Sequence, residues 1–225
     1  ANAVSAQFDA QSQVWLSGSS TGSTPDYGYR STPSANNTAE VTHYKQTLSW
    51  GRWLNADVNV GSSNNVTTLG TNDTVHYLIG TPSASLPTSG IVTYVHVGST
   101  TPTGTLTTPT TAGSPANTIS PLSGISVLNS STMRVDFAST ANNAISMDMN
   151  FGAGSLGNIN FKGQSPLNAN FSLTNLTVNS AGCANCEANG FFAGQNGSMI
   201  GLNYKLTADV GQSTANFGGV AAFEK

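Results

Sequence analysis

The sequence predicts an all-β protein, and two observations carry that prediction. Apolar and polar residues alternate with a period of two along most of the chain, between turns rich in Gly, Pro, Asn and Ser, which is typical of strands with one buried face. Helical periodicity is nearly absent. The chain has 225 residues, which is enough to bury an apolar core without help from disulfides.

The first third of the chain predicts a separate, more polar β subdomain. Its strand candidates are short and lie between stretches rich in Gly, Ser and Asn; they are QVWLSG, VTHYKQTLSW and RWLNADVNV. From DTVHYLIG onward the candidates are longer and more regular. We therefore expect a boundary near residue 70, with residues 1–70 as an N-terminal β subdomain and residues 71–225 as the main domain.

In the main domain the alternation assigns a face to each side chain. In GIVTYVHVG, Tyr94 and His96 share one face. The strands STMRVDF and AISMDMNF fit a hairpin around STANNA, and NFSLTNLTV changes phase near Asn175, which predicts a β-bulge. Residues 98–124 are rich in Pro, Thr and Gly, so we expect a long surface loop there, with at most a short edge strand around Leu106.

Composition and charge restrict the partners. Only 8% of residues are charged, against about 25% in average soluble domains, and the net charge is −3 with no run of Lys or Arg. We expect no nucleic-acid partner, because phosphate binding needs clustered cations. No apolar run approaches the roughly 18 residues of a membrane span. The start lacks a signal-like segment and a Cys, so a lipid anchor to the outer membrane would lie upstream.

Several stretches resemble the β-barrel domain of transferrin-binding protein B and its relatives, including the C-terminal barrel of some FecR-type bacterial proteins. They are LSWGRW, HYLIGTPSASLPTSGIVTYVHVGSTTPT, MRVDF and the ending NGFFAGQNGSMIGLNYKL with FGGVAAFEK. In that ending, Gly190 and Gly194 flank a Phe-Phe strand and Gly201 begins the next one, which suits a sheet that curves.

The resemblance implies an eight-stranded antiparallel β-barrel over residues 71–225, preceded by a handle-like β subdomain over residues 1–70. It also implies a non-catalytic bacterial binding protein outside the cytoplasm, at the cell surface, secreted or periplasmic. Such a protein would serve iron or haem acquisition, with an iron-carrier protein or haem as partner, since some relatives are secreted haem carriers. Transferrin itself is not expected, because the chain holds one barrel's length of residues and lacks long charged loops.

Cys183 and Cys186 are the two cysteines of the chain. We expect them to form a disulfide that closes a hairpin loop in an oxidising compartment. A structural zinc site would need four Cys or His ligands, and the three histidines lie far upstream. A thioredoxin-like motif would need the pair at the head of a helix, whereas it lies here between strand candidates. Free thiols and a metal or redox role remain open as alternatives.

The histidines are candidate ligands for iron or haem, which is the candidate cofactor. His43 and His76 each precede a tyrosine, and Tyr94 lies two residues before His96. Histidine and tyrosine both serve as axial ligands of haem iron. Alternatively, all four are half-buried barrel residues whose polar atoms are hydrogen-bonded. No metal site is predicted.

Trp50 and Trp53 flank a Gly-Arg pair. Their rings could stack on a sugar or a cationic partner, or fill a core between the subdomains.

For catalysis the sequence offers little, and we expect no enzyme activity. Asp136 and Asp148 would oppose each other in the predicted hairpin, but Arg134 on the same face favours an ion pair. No nucleophile elbow, zinc-protease motif or phosphate loop occurs.

Two functional hypotheses follow from these residues. A ligand-binding module predicts a concave site lined by at least two of the candidate histidines, Tyr94 and the tryptophans. A structural or passenger module of a larger surface or FecR-type protein predicts that the same residues are dispersed and individually packed.

Overall fold

The structure is a computed structural model that describes most of the chain. Its backbone covers residues 4–9, 14–20, 38–54, 57–59, 66–68, 74–109, 117–183 and 185–225. Its side chains cover residues 42, 44–52, 74–109, 117–154, 156–183 and 185–225. Within these residues the protein is all-β, as the alternation predicts, with one 3-10 helix at Gly154–Leu156.

The described strands are numbered in chain order. The strands up to Gly80 are β1 (Val4–Asp9), β2 (Val14–Ser20), β3 (Thr38–Tyr44), β4 (Leu48–Leu54), β5 (Asp57–Asn59), β6 (Val66–Thr68) and β7 (Thr74–Gly80). The later strands are β8 (Ile91–Ser99), β9 (Thr103–Thr108), β10 (Thr118–Pro121), β11 (Ser126–Val127), β12 (Thr132–Asp136), β13 (Ile145–Gly152), β14 (Asn158–Ser165), β15 (Asn170–Ser172), β16 (Thr174–Val178), β17 (Ala181–Gly182), β18 (Glu187–Ala193), β19 (Met199–Val210) and β20 (Ser213–Glu224).

The chain divides into two compact units that interleave along the sequence. The first holds Ala1–Ala39 and Arg52–Val75, and the second holds Glu40–Gly51 and His76–Lys225. In the first unit β1 pairs with β2 and β5 pairs with β6, both antiparallel. The division differs from a single cut near residue 70, because residues 40–51 belong to the second unit.

The second unit is dominated by a 13-stranded sheet. Its main path runs β15-β18-β19-β20-β8-β12-β13-β14-β16-β17, with β9 and β10 continuing beside β20 and β11 beside β13. All of its ladders are antiparallel. The longest joins β19 to β20 from Met199 opposite Glu224 to Val210 opposite Ser213, and the turn between them contains Gly211 with a φ of 67°.

A closed barrel of eight strands is not found in the described part of the chain. The sheet has more than eight strands, and no ladder joins the two ends of its path. The segment predicted as one strand divides at Leu173 into two, so neither of its neighbours forms a ladder along its whole length. β15 pairs with β18, whereas β16 pairs with β14 at the opposite end of the path. The Leu173 N–H bonds to Ala188 O at 2.8 Å, and Asn175, with a φ of 50°, lies in the predicted bulge.

The segment 98–124 is more regular than its composition predicts. It contributes the last residues of β8 and the antiparallel pair β9 and β10, and β9 also pairs with β20. Thr is β-branched and suits a pleated surface, so the Thr-rich sequence forms strands despite its Pro and Gly residues. The expectation of a long loop with one short edge strand was therefore wrong.

The main core lies on one face of this sheet. On β13 the apolar side chains at every second position, from Ile145 to Phe151, are buried. The Phe151 ring packs 5.3 Å from the rings of both Tyr204 and Phe217. The β12–β13 hairpin that the sequence predicts is formed, with antiparallel pairing.

A second, smaller core lies on the other face. Leu48 and Trp50 pack there with Val220 and Ala222 of β20. A Cβ atom on Gly98 would overlap the Trp50 ring, so β8 needs glycine at this point. Since Val220 to Phe223 are all buried, this end of β20 is covered on both faces, which explains its small residues.

Candidate functional site

Tyr94 belongs to the core. Its side chain is fully buried, and its hydroxyl donates a hydrogen bond to Gly197 O at 2.6 Å. Burial raises the pKa of Tyr94 to about 12. The phenol is therefore neutral at physiological pH and is already hydrogen-bonded within the core.

His96 is also directed into the protein. Its ring lies 5.9 Å from the Phe223 ring in an edge arrangement, and both ring nitrogens are buried. Burial lowers the pKa of His96, while the Asn129 side chain and the Gly98 backbone act in the opposite direction. The imidazole is thus neutral at physiological pH.

Trp50 is 2% exposed and packs against Tyr44, with ring centroids 6.0 Å apart. It therefore fills the second core and offers no surface for stacking. His43 and Trp53 lie on β3 and β4, and their side chains are outside the described residues.

His76 is the sequence-predicted residue that does line a cavity. Its Nδ1 lies 2.7 Å from the Thr100 hydroxyl and its Nε2 lies 2.6 Å from the Thr103 hydroxyl. Thr100 is buried, and its hydroxyl also accepts the Val220 N–H. Both ring nitrogens are therefore engaged, so that a metal ion would have to displace a hydrogen bond to reach either one.

The cavity beside His76 has a volume of about 310 Å³, at the small end of the roughly 300–1,000 Å³ typical of ligand pockets. We call it the amide groove. Its lining residues are His76, Leu78, Asn170, Asn189, Gly190, Phe191 and Asn203.

Strand register assembles the three amides of the groove. Asn189 on β18 is directly opposite Asn203 on β19 and Ser172 on β15, and Asn170 is opposite Phe191. The Ser172 hydroxyl donates to Asn189 Oδ1 at 2.6 Å, and the Asn189 N–H donates to Asn203 Oδ1 at 3.1 Å. These two bonds fix the carbonyl ends of both amides and leave their NH₂ ends available.

Phe191 forms the apolar part of the groove. Its half-buried ring is so close to β7 and β19 that a Cβ atom on Gly80 or Gly201 would lie 3.0 or 2.9 Å from it. Leu78 on β7 contacts the same region. Glycine at both positions allows an aromatic ring to lie between the strands and reach the groove.

A second, smaller depression of about 90 Å³ adjoins the groove. It shares Asn189 and Asn203 with the groove and adds Glu187, Tyr204 and Lys205. Glu187 and Lys205 are directly opposite each other in the ladder, so their charges balance locally. Asn189 and Asn203 thus lie between the amide groove and a smaller depression that contains one acidic and one basic side chain.

Sequence reasoning missed the amide groove. The alternation in GLNYKL does place Asn203 on the face opposite Leu202 and Tyr204, and the structure has Asn203 exposed and both apolar residues buried. What the sequence could not supply is the pairing of β15, β18 and β19, which brings the three amides to neighbouring positions on one face of the sheet.

Cys183 and Cys186 form the disulfide that the sequence predicts, with Cα atoms 5.5 Å apart. The Cys183 N–H donates to Leu176 O at 3.0 Å, which ties the loop to β16.

No group of three His, Cys, Asp or Glu side chains within the described residues could hold a metal ion.

The expected arrangement of Asp136, Asp148 and Arg134 was wrong. In the actual register Asp148 is opposite Thr132, and its carboxylate pairs with Lys162 of β14 at 3.0 Å. The two strands pair in a different register from the one that the sequence pattern predicts, with Ile145 opposite Val135, so the two aspartates do not face each other.

Comparison with solved structures finds similar chains at low identity. A mutant of transferrin binding protein B from Haemophilus parasuis Hp5 aligns with a TM-score of 0.41 and 14% identity, covering 80% of this chain and 33% of that one. A double mutant aligns with a TM-score of 0.45 and 11% identity, covering 99% and 45%. A surface lipoprotein aligns with a TM-score of 0.37 and 12% identity, covering 97% of both chains.

This chain therefore spans less than half the length of the two transferrin binding protein B chains that it matches. No protein-family model and no curated protein matches it. Among the described residues, no helix has the length and apolar character needed to cross a membrane.

Proposed function

We propose that this protein is a non-catalytic binding module that acts outside the cytoplasm and holds its ligand in the amide groove. One observation carries the proposal. The groove combines a ligand-sized cavity with three asparagine NH₂ groups, on Asn170, Asn189 and Asn203, that donate to no acceptor in the described part of the chain. Small-molecule sites combine apolar and aromatic side chains with a few polar groups that orient the ligand, and the groove places Leu78 and Phe191 beside its amides.

Two further features support a site of action outside the cytoplasm. The Cys183–Cys186 disulfide is the form that persists in oxidising compartments. The sequence also resembles a family of exported bacterial binding proteins, and its low content of charged residues is unusual for a cytoplasmic domain.

Iron or haem acquisition is the narrower function that the sequence resemblance implies, and it stays a prediction. As a candidate iron ligand the groove contains His76, but both of its ring nitrogens are hydrogen-bonded. Tyr94 is fully buried and both ring nitrogens of His96 are buried, which is the arrangement that the structural hypothesis predicts for them. The amides therefore carry the proposed site, and the histidines do not.

A nuclear magnetic resonance titration of the full chain tests the proposal. The probes are haemin, an extended peptide, and oligosaccharides that are neutral, sialylated or rich in uronic acids. We expect at least one probe to shift the backbone amide signals of residues 189–191 and 201–203 in a saturable manner. If none of these probes shifts the groove signals, the binding proposal fails and the passenger hypothesis replaces it.

A further inference from the structure

We propose that the amide groove recognises a neutral oligosaccharide. This inference rests on the proposed function and specifies the chemical class of its ligand. Four properties of the groove support it: its lack of Asp, Glu, Lys and Arg side chains, its surplus of hydrogen-bond donors, the ring of Phe191 and its continuation into a second depression.

The scarcity of charged side chains in the groove argues against ionic ligands. No lining residue of the groove is an Asp, Glu, Lys or Arg, so a metal or amine would find no carboxylate. The basic lining residue, His76, has both ring nitrogens hydrogen-bonded to threonine hydroxyls. The charged residues of the adjoining depression, Glu187 and Lys205, are opposite each other in the ladder. A carboxylated or phosphorylated ligand would meet Glu187 as readily as Lys205.

The hydrogen-bonding groups suit hydroxyls. An asparagine NH₂ group is a double donor, and its carbonyl oxygen is an acceptor. The carbonyls of Asn189 and Asn203 are already occupied within the protein, whereas that of Asn170 accepts no protein hydrogen bond in the described residues. The groove thus offers mainly donors with one free acceptor, and a sugar hydroxyl can both accept and donate.

The Phe191 ring supplies the complementary apolar contact. Sugar rings carry C–H groups on their faces, and aromatic rings present a flat apolar surface. Phe191 is directly opposite Asn170 on β15, so the apolar and polar contacts lie on neighbouring strands. A purely apolar ligand would cover the ring but leave the amide donors without acceptors.

The length of the site favours several sugar units. The groove and its neighbouring depression share Asn189 and Asn203, and together they extend along β18 from Phe191 to Glu187. Four residues of an antiparallel strand span roughly 14 Å. A single sugar ring would fill only part of this length, so we assign the site to an oligosaccharide.

A glycan array followed by calorimetry tests the inference. The array contains neutral, sialylated and uronic-acid glycans of matched length, and the best neutral glycan is then titrated into the protein. We expect neutral glycans to bind and the charged series to bind less well. Between about 50 mM and about 500 mM NaCl the affinity should change less than twofold, because salt screens only charge interactions.

Substitutions in the groove make the test specific. In Asn189→Asp and Asn203→Asp, a carboxylate oxygen replaces the amide oxygen as acceptor of the protein's own hydrogen bonds. The NH₂ donor is lost in both variants. Each should weaken neutral glycan binding by about tenfold, the effect of losing roughly one hydrogen bond. Asn170→Ala, which breaks no protein hydrogen bond, should weaken it as well.

Asn142→Asp and Asn143→Asp are the matched controls, because both residues are exposed in the turn between β12 and β13. They add the same charge outside the groove and should leave binding unchanged. Binding of haemin, a peptide or charged glycans alone, with shifts at the groove signals, would overturn the oligosaccharide inference and leave the proposed function standing. Equal losses in control and groove variants would also overturn it.

Discussion

At the scale of single residues, the candidate ligands of the sequence have different environments. Tyr94 and His96 do share a face, as the alternation predicts, but that face is the protein interior. His76 lies at the edge of a cavity and is held by two threonine hydroxyls. Neither threonine was recognisable from the sequence, because Thr100 and Thr103 lie more than 20 residues downstream and meet His76 only in the folded chain.

The buried imidazole of His96 predicts a loss of stability in acid. Burial lowers its pKa below the ordinary value of 6.5, so below that pH the unfolded chain binds a proton that the native state resists. The free energy of unfolding should therefore fall as the pH drops through about 6.5 toward the native pKa.

Denaturant unfolding at about pH 8 and about pH 5 measures this effect. His96→Leu removes the titrating group, and the variant should lose less stability between the two pH values than the wild type. His96→Gln, which is polar but does not titrate, should behave like the leucine variant. Identical pH dependence in all three proteins would show that the imidazole titrates freely in the native state.

At the scale of strands and hairpins, local pattern predicted the β12–β13 hairpin but not its register, since Thr132 rather than Asp136 is opposite Asp148. The bulge at Asn175 is where the change of phase places it. Residues 98–124 form strands where a loop was expected, because the strand preference of threonine outweighs the turn preference of Pro and Gly there. In β9, that preference is supported by pairing with β20, a contact with a strand about 100 residues away.

The disulfide between Cys183 and Cys186 should make a small contribution to stability. The bonded residues are three positions apart, and closing so short a loop restricts the unfolded chain by only about 2 kcal/mol or less in the chain-entropy model. Reduction of the wild-type protein should lower the free energy of unfolding by that amount. Denaturant unfolding with and without a reductant measures it.

Glycan or probe binding at the amide groove should survive that reduction. The groove amides are held by strand pairing and by the Ser172 and Asn189 hydrogen bonds, none of which involves the disulfide. A loss far above 2 kcal/mol, or complete unfolding, would mean that the bridge holds β16 and β17 in place rather than closing one loop.

At the scale of the second unit, the 13-stranded sheet packs one face against the main core. Phe151 packs against Tyr204 and Phe217, so β13, β19 and β20 meet at its ring. Phe151→Ala should reduce the free energy of unfolding by about 3–5 kcal/mol, because it leaves a cavity among buried aromatic rings. Denaturant or thermal unfolding provides the measurement.

Lys162→Ala is the control for that substitution. The substitution removes the ion pair between Lys162 and Asp148, two side chains that are both substantially exposed. It should lower the free energy of unfolding by less than about 1 kcal/mol. If the two substitutions had similar effects, packing at Phe151 would not be what holds the sheet together.

The sequence by itself determined the all-β class, the inward and outward faces of individual strands, the local hairpin and the cysteine pairing. These features depend on neighbours in sequence, where a period of two and short spacings carry the information. Only the tertiary structure decided that the strand across Leu173 divides between two ends of the sheet and that Asn170, Asn189 and Asn203 lie together on one face. Such pairings join distant strands, and many registers satisfy the same alternation, so the choice rests on how the whole core packs.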